Sequence, residues 1–312
     1  MTAPIERPMK ETLDHIVKTA GRIVLGKEHE IRLALACLLA RGHLLIEDLP
    51  GMGKTTLAHV LAQALGLQYN RIQFTSDLLP ADILGVSIFD RERSAFHFQP
   101  GPIFAQLVLA DEVNRATPKA QSALLEAMEE HQVTIEGETR PLPEPFFVIA
   151  TQNPTYQIGT FPLPESQLDR FLMRISLGYP GVQAERELLM SQDRRELLRS
   201  LPPCLEAGQL LDMQRAVGGI HVSEALLDYL QALLAHSRLS PRFEHGLSPR
   251  AGLALLHGAQ SWALMEGRDH ALPEDVQTLL PHVVAHRLRP RADSGEQDTS
   301  AIVAELQSVP IP

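Results

Sequence analysis

HLLIEDLPGMGKTTLAHVLAQALG, residues 43–66, combines a short apolar strand, a tight loop and a helix. The strand is expected at residues 44–46, and beyond the loop apolar residues recur at helical spacing until Gly66 ends the helix. In such a loop, successive backbone N–H groups and the helix N-terminus face phosphate oxygens. The stretch therefore predicts a nucleotide site. Its lining residues are expected to be Pro50, Gly51, Met52, Gly53, Lys54, Thr55 and Thr56.

The loop residues have separate expected tasks. Gly51 and Gly53 would let the backbone approach a phosphate, and the Lys54 ammonium would neutralise the β and γ charges. The Thr55 hydroxyl would bind magnesium. Asp48 stands where the general G-x-x-x-x-G-K-[ST] pattern has its first glycine. Because Asp tolerates turn and left-handed geometries, Asp48 is expected to shape the loop and to take no part in catalysis.

Two further predicted strands end in polar residues. QLVLADE ends in Asp111 and Glu112, and FFVIATQN ends in Asn153. In a parallel sheet the carboxyl ends of strands meet at one edge. There Asp111 would lie near magnesium, and Glu112 would orient or deprotonate a water molecule. Asn153 would position that water against the γ-phosphate, although an Asn-Pro pair by itself indicates only a turn.

LPESQLDRFLMRI contains Arg170 and Arg174, which are separated by one helical turn. The simpler interpretation is a surface ion pair with Glu165 or Asp169, which would contribute little to stability. The other interpretation is an arginine that reaches the γ-phosphate of a neighbouring subunit and stabilises charge in the transition state. The residues alone leave both interpretations open.

Arg250 follows two residues that predict the start of a helix. Ser248 suits the N-cap, and Pro249 suits the first turn. A guanidinium at this position opposes the helix dipole, which hints at an external anion partner. A solvated arginine is the simpler alternative.

The chain divides into two regions by pattern. Up to residue 180, strands alternate with helices, which predicts an α/β, three-layer αβα core around a parallel sheet. Within it, residues 86–101 alternate about a charged centre and predict an inserted β-hairpin. Residues 132–145 predict a second hairpin with Glu136-Gly137-Glu138 at its tip. After Gly178-Tyr179-Pro180-Gly181 only helical patterns remain. We therefore expect a nucleotide-binding domain at residues 1–180 and a smaller all-helical domain at residues 181–312.

Composition narrows the class of protein. The chain has 312 residues, of which 44% are hydrophobic and 21% charged, as in ordinary globular proteins. Its net charge of -10 provides no basic field to attract nucleic acid or an anionic membrane. The N-terminus lacks an export signal and no apolar run could span a bilayer, so a cytoplasmic location is expected. Cys37 and Cys204 are expected as buried thiols, and His282 and His286 as packed or solvated side chains without a metal.

Taken in order, these motifs resemble those of the AAA+ ATPases, and more narrowly those of the MoxR family. The signatures are EDLPGMGKTTLA (47–58), ADEVNRATPKAQSALLEAMEE (110–130), IATQNP (149–154), LPESQLDRFLM (163–173) and LSPRAG (247–252). In this family an acidic residue commonly stands at the position of Asp48. The resemblance implies a P-loop AAA+ core followed by a helical lid. It also implies that the hairpins are the helix-2 insert and the pre-sensor-1 hairpin, shared with magnesium chelatase and MCM-type ATPases.

The resemblance also implies roles for single residues. By it, Lys54 and Thr55 bind ATP and Mg²⁺, Asp111 and Glu112 form Walker B, Asn153 is sensor 1, Arg170 is the arginine finger, and Arg250 is sensor 2. Arg174 is the second candidate for the finger. Whether Arg250 acts on its own subunit or on a neighbour stays open.

The family further implies a ring homo-oligomer, typically a hexamer, that does chaperone-like work on protein complexes. Its partners would be a von Willebrand factor A domain protein and a metalloenzyme or other client. Two alternatives are a nucleic-acid-dependent motor and a nucleotide-gated adaptor without useful turnover. The negative charge and the acidic hairpin residues Glu136 and Glu138 argue against the motor. The paired Asp111 and Glu112 argue against the adaptor.

Overall fold

A computed structural model describes residues 6–92, 94–154, 161–190, 194–291 and 299–311. Strands β1 to β9 are, in chain order, Leu44–Glu47, Tyr69–Gln73, Gly85–Asp90, Ala95–Pro100, Leu107–Asp111, Gln132–Ile135, Glu138–Pro141, Phe147–Gln152 and Met173–Ile175. Five of them form a parallel sheet in the order β2-β5-β8-β1-β9. The parallel sheet predicted from the sequence is confirmed, and β1, which precedes the predicted phosphate loop, lies between β8 and β9.

Helices surround this sheet and continue beyond it. Helices α1 to α13 are, in chain order, Glu6–Gly21, Glu28–Leu39, Lys54–Ala64, Pro80–Leu84, Pro118–Glu130, Glu165–Leu168, Val182–Met190, Arg194–Arg199, Ala207–Val217, Glu224–Leu239, Pro249–Met265, Pro273–Val284 and Thr299–Gln307. Helix α11 packs on α1, α2 and α12, and α12 packs on β9. The helical region therefore rests against the N-terminal helices and the edge of the sheet. Among the described residues, no helix is long and apolar enough to cross a membrane.

The sheet separates two apolar clusters because successive strand residues face opposite sides. Leu107 and Leu109 of β5 contribute to the cluster that contains α3, whereas Val108 and Ala110 contribute to the cluster that contains α5. Strands β5 and β8 are buried along their whole length, as expected for parallel strands covered on both faces. Each fully buried leucine contributes roughly 2 kcal/mol of transfer free energy. The two clusters thus pack on both faces of the sheet and fix the positions of the strands whose carboxyl ends carry the polar residues.

Two antiparallel hairpins project from the sheet domain. Strand β3 pairs with β4, and β6 pairs with β7. Glu136 and Gly137 connect β6 to β7 with φ values of 53° and 82°, the two left-handed residues that a two-residue type I′ turn requires. In the other hairpin, Phe89 and Phe96 pack edge to face with ring centroids 5.3 Å apart while both stay at least half exposed. Both hairpins therefore present surface that the core does not cover.

Two local expectations are corrected by the structure. Arg170 and Arg174 do not share a helix, because α6 ends at Leu168 and Arg174 lies within β9. Pairing with β1 imposes the strand period, so the flanking β9 residues are buried while Arg174 is half-buried. The cysteines are free thiols as expected, but Cys204 is only partly buried whereas Cys37 is fully buried. Burial raises the pKa of the Cys37 thiol well above its usual range.

Three histidines are packed inside the protein as neutral rings. His43 Nδ1 accepts a hydrogen bond from the Val148 N–H (3.0 Å), which leaves Nε2 to donate to the Met128 carbonyl (3.1 Å). Burial lowers the pKa of His43 and of His282 to about 4, and lowers the pKa of His286 well below its usual value. His282 Nδ1 lies 3.3 Å from the Arg174 carbonyl oxygen, and His286 Nε2 lies 3.0 Å from the Phe171 carbonyl oxygen, so both rings are packed against backbone.

We expect the free energy of unfolding to fall as the pH is lowered from 6.5 towards 4. In this window the unfolded chain binds protons on these histidines and the folded chain does not. The free energy of unfolding therefore falls by about 1.4 kcal/mol for each histidine per unit decrease in pH. The stabilisation is complete above pH 6.5 and is lost as the pH falls through the window. Denaturant unfolding at a series of pH values measures this slope.

Carboxylates also titrate at the lower end of that window, so the variant His43→Gln isolates one histidine. It should show a flatter dependence of unfolding free energy on pH between 6.5 and 4 than the unmodified protein. His245→Gln, at an exposed histidine, is the matched control and should leave the slope unchanged. Equal slopes in both variants would contradict the assignment to buried neutral His43.

Candidate functional site

The loop after β1 has the shape of a phosphate cradle. Gly51 and Gly53 have φ values of +88° and +90°, and a Cβ added to either would meet nothing within 4 Å. Both conformations favour glycine, and both leave the backbone open to a ligand. Gly53 is also the N-cap of α3 and has no side chain to cap it, so the first N–H groups of the helix remain free to bind an anion.

Lys54 is buried at the carboxyl edge of the sheet, with an exposed fraction of only 7%. Its Nζ donates to the Asp48 carbonyl (2.6 Å), to Asn153 Oδ1 (3.2 Å) and to the Gln152 carbonyl (3.4 Å). Burial lowers the pKa of Lys54, and the carboxylates of Asp48 and Asp111 act in the opposite direction. The ammonium is thus fixed between the ends of β1 and β8, where the sequence predicted a phosphate-binding lysine.

Asp111 lies beside Thr55 at the end of β5. Thr55 Oγ1 and Asp111 Oδ2 are 3.5 Å apart, and Arg71 donates to the same Oδ2 through Nη2 (2.6 Å) and Nε (3.1 Å). Thr151 Oγ1 donates to the other oxygen, Oδ1 (2.6 Å). A hydroxyl and a carboxylate are the oxygen donors that Mg²⁺ takes from proteins when substrate phosphate and water complete its shell. The residues present therefore fit the ion.

Glu112 is held by its backbone and by its carboxylate. Its φ of 56° is left-handed, a conformation that costs a non-glycine residue on the order of 1 kcal/mol, and its N–H donates to Thr151 Oγ1 (2.8 Å). The carboxylate accepts from Asn153 Nδ2 (3.1 Å) and Gln73 Nε2 (3.1 Å), and pairs with Arg115 Nε at 3.1 Å. The strained backbone aims a fixed carboxylate into the same edge of the sheet.

Asn153 joins the two halves of the site. Its Oδ1 accepts from Lys54, and its Nδ2 donates to Glu112. Because an ammonium can only donate and a carboxylate can only accept, these two partners fix which end of the amide faces each of them. Its own carbonyl accepts from Asn114 Nδ2 (3.0 Å). A plain turn would not require a buried amide between an ammonium and a carboxylate.

Asp48 is the residue that departs from the general loop pattern, and its carboxylate is buried. Oδ1 accepts from the Leu49 N–H (2.9 Å). Oδ2 accepts from the N–H groups of Leu177 and Gly178, each at 2.7 Å, and from Ser176 Oγ (3.1 Å). Asp48 therefore binds the segment that follows β9, a contact far from it in sequence.

Arg170 and Arg250 meet at a single carboxylate. Arg170 Nη1 donates to the Leu125 carbonyl (2.5 Å), and its Nε lies 3.8 Å from Glu129 Oε2. Arg250 Nη2 pairs with Glu129 Oε1. Ser248 accepts from the Ala251 N–H (3.1 Å) as the predicted N-cap of α11. The anion that Arg250 contacts in this chain is thus Glu129.

The ion partners suggested for Arg170 by the sequence are wrong. Glu165 pairs with Arg289 (2.9 Å), and Asp169 pairs with the buried Arg287 (2.7 Å). Both acids are taken by lid residues more than one hundred positions away, which spacing along a single helix does not indicate. Arg174 pairs with Glu47 (2.9 Å) at the end of β1, beside the phosphate loop.

The structure brings Lys54, Asp111, Glu112 and Asn153 together but separates Arg170 and Arg250 from them. Arg170 precedes β9, whose first residue pairs with the first residue of β1, and the Leu172 N–H donates to the His43 carbonyl (2.9 Å). This is the amino edge of the parallel sheet, whereas the loop lies at the carboxyl edge.

Sequence reasoning missed four residues that contact the paired acids. They are Arg71, Gln73, Arg115 and Thr151. A signal existed for two of them, since Arg71 and Gln73 alternate in β2 next to β5. Thr151 lies one position before the end of β8, and nothing in its local pattern distinguishes it from a packed strand residue.

Comparison with known proteins agrees with this geometry. The model of the ATPase family associated with various cellular activities (AAA) matches residues 43–173, and the AAA lid domain model matches residues 235–306. Protein YeaC of Bacillus subtilis (strain 168) is 43% identical over 95% of this chain and 93% of its own length. Chaperone MoxR1 of Mycobacterium tuberculosis is 39% identical over 96% of this chain and 82% of its own length.

A solved structure is similar over almost the same extent. The crystal structure of a Cytophaga hutchinsonii protein matches with a TM-score of 0.88 at 33% identity, covering 98% of this chain and 96% of that one. The phosphate loop and the paired acids lie within residues 43–173, which the AAA family model matches. This chain belongs to the MoxR family of AAA ATPases.

Proposed function

We propose that this chain is a Mg²⁺-dependent ATPase that uses ATP hydrolysis to remodel, mature or activate a protein complex, as a chaperone does. The observation that carries the proposal is the Asn153 side chain, which joins the Lys54 ammonium to the Glu112 carboxylate. One amide thus holds a phosphate-binding cation and a candidate base in fixed relation. The similarity to a relative named a chaperone supports the part of the proposal that concerns a client.

Each residue at the carboxyl edge of the sheet would have a separate role in ATP binding or hydrolysis. The N–H groups of the loop from Gly51 and the Lys54 ammonium would hold the phosphates of ATP. Glu112 would orient the attacking water and accept its proton, as the γ-phosphoryl group leaves ADP. Asn153 would keep Glu112 and that water in line with the γ-phosphate. Thr151 Oγ1 donates to Asp111 and accepts from the Glu112 N–H, and these two hydrogen bonds make the arrangement rigid before substrate binds.

Thr55 and Asp111 would hold Mg²⁺. When bound, the ion would neutralise charge on the β- and γ-phosphates. Arg71 donates to Asp111 and is about half exposed, so its guanidinium would be able to move into solvent when the ion binds the carboxylate.

Arg170 and Arg250 are proposed to act on a neighbouring subunit. They lie at the amino edge of the sheet, opposite the Lys54 loop of their own chain. A ring, typically a hexamer in this family, would bring that edge against the neighbour's phosphate loop. Arg174 is less suited to the same role because it pairs with Glu47 beside its own loop.

The proposed setting is the cytoplasm. The proposed partners are a von Willebrand factor A domain protein and a metalloenzyme or other protein complex as client, both supported by the family resemblance. The exposed hairpins β3–β4 and β6–β7 offer surface for such contacts.

Replacing Glu112 with Gln should leave ATP binding nearly unchanged and reduce kcat by at least about 100-fold, because the base is lost while the phosphate contacts remain. Steady-state hydrolysis and equilibrium binding of labelled ATP measure the two effects. Glu130→Gln, at an exposed carboxylate on α5, is the control and should behave as the unmodified protein. Full turnover by Glu112→Gln would remove Glu112 as the base.

The same variant provides a test of the client. Glu112→Gln loaded with Mg·ATP should retain its partners during affinity capture from the native host, whereas Lys54→Ala should not. Mass spectrometry that identifies a von Willebrand-type protein or metalloenzyme subunits only in the ATP-loaded sample would support the chaperone. Capture of nucleic acid with replication or repair proteins would favour the motor instead.

Mixing two inactive variants should restore activity if Arg170 serves a neighbour. Arg170→Ala keeps an intact phosphate loop, and Lys54→Ala keeps an intact arginine, so a mixed ring contains interfaces that combine both. Random mixing at equal amounts should give about a quarter of the unmodified rate. ATPase assays on each variant and on the mixture measure this.

Arg22→Ala, at an exposed arginine, is the control for charge removal and should keep full activity alone. Mixtures that remain as inactive as the separate variants, although assembled to the same size, would show that Arg170 does not complete a neighbour's site.

A further inference from the structure

Asp48 places a buried carboxylate where the general loop pattern has a glycine. The exposed fraction of Asp48 is 8%, and its carboxylate accepts four hydrogen bonds from donors on two segments. One donor is the N–H of the next residue, Leu49. The other three belong to residues 176–178, which follow β9. A glycine would complete the loop but would leave those three donors without this acceptor.

The bound segment is the start of the connection from the sheet to the lid. Successive N–H groups of Leu177 and Gly178 converge on one oxygen, Asp48 Oδ2. Gly178 has a φ of +60°, and a Cβ built there would meet nothing within 4 Å. After it the chain enters α7 and then the helical region. The carboxylate therefore binds the chain directly after β9, at the start of its connection to the lid.

The backbone of the same residue contacts the phosphate-binding cation. The Asp48 carbonyl accepts from Lys54 Nζ at 2.6 Å, the shortest of the three contacts of that ammonium. A bound phosphate would compete for this donor. Movement of Lys54 towards phosphate would release the carbonyl of the residue whose carboxylate holds Leu177 and Gly178.

We infer that Asp48 is a positioning residue for ATP turnover, which transmits the response of the phosphate loop to the base of the lid. This inference rests on the proposed ATP hydrolysis at Lys54. It also explains the departure from the general pattern, because only a side chain with two acceptor oxygens can bind the loop N–H and the 176–178 segment together.

The experiment compares Asp48→Gly, Asp48→Asn and Ser176→Ala with Asp228→Asn, which alters an exposed carboxylate far from the site in sequence. ATP affinity, kcat and KM are measured on the full chain. Hydrogen exchange at the amides of Leu177 and Gly178 is measured with and without Mg·ATP. Unfolding midpoints report on general stability.

Asp48→Gly should keep ATP affinity within about threefold and lower kcat at least about tenfold, because misplacement of the lid affects turnover more than phosphate binding. Exchange at Leu177 and Gly178 should become faster and should no longer respond to nucleotide. Asp48→Asn should recover part of kcat, since its amide oxygen can still accept from both N–H groups. Ser176→Ala should show a smaller effect of the same kind, and Asp228→Asn should show none.

The inference is overturned if Asp48→Gly and Asp48→Asn retain kcat together with nucleotide-dependent exchange at these amides. It is also overturned if affinity, kcat and the unfolding midpoint fall together and Asp48→Asn recovers nothing, which is the result of a purely structural role. Should Asp48→Gly fail to fold, unchanged kcat and exchange in Ser176→Ala and Asp48→Asn would overturn it equally. Full turnover by Glu112→Gln would instead refute the proposed mechanism, and the exchange measurement, which needs only nucleotide binding, would still test the coupling.

Discussion

A buried ammonium must be surrounded by oxygens, and this constraint organises the carboxyl edge of the sheet. Lys54 has a low exposed fraction, so its charge persists only because carbonyl and amide oxygens from the ends of β1 and β8 surround it. Both strands must end at the same edge of the sheet for their carbonyl groups to reach one ammonium. The parallel register places their last residues, Glu47 and Gln152, side by side. Glu112, directly after β5, then lies close enough to be joined to Lys54 through Asn153. The site is thus a consequence of where parallel strands stop.

Much of this arrangement could be predicted because its signals are local. The strand, loop and helix in residues 43–66 each have a distinctive period or residue type, and the structure has β1 and α3 in those places. The runs that end in Asp111 and Asn153 are apolar without alternation, which is typical of parallel strands buried on both faces. Polar residues directly after such runs must lie at the carboxyl edge, so their proximity follows from topology alone.

Other features could not be predicted because they depend on partners distant in sequence. Arg174 follows helical spacing from Arg170, yet pairing of β9 with β1 overrides that spacing. Asp169 was a plausible neighbour for Arg170, but Arg287 of the lid occupies it from a position 118 residues away. Asp48 was expected to shape its own loop, but its carboxylate accepts its two shortest hydrogen bonds from residues 129 and 130 positions away. Local sequence predicts the strands and the acids at their ends. It does not predict which of several distant residues each charged side chain will bind in the folded protein.

The two arginines at the amino edge have an energetic consequence for assembly. Glu129 faces both guanidiniums, and all three side chains are about one-third to one-half exposed. Pairs with that exposure contribute at most about 1 kcal/mol, so a phosphate with greater charge can replace the carboxylate cheaply. Meanwhile Arg287, buried and bonded to Asp169 and to the carbonyls on either side of Arg170, keeps the backbone there fixed. A fixed backbone and weak ion pairs would allow the guanidiniums of Arg170 and Arg250 to leave Glu129 and bind a neighbour's phosphate without movement of the main chain.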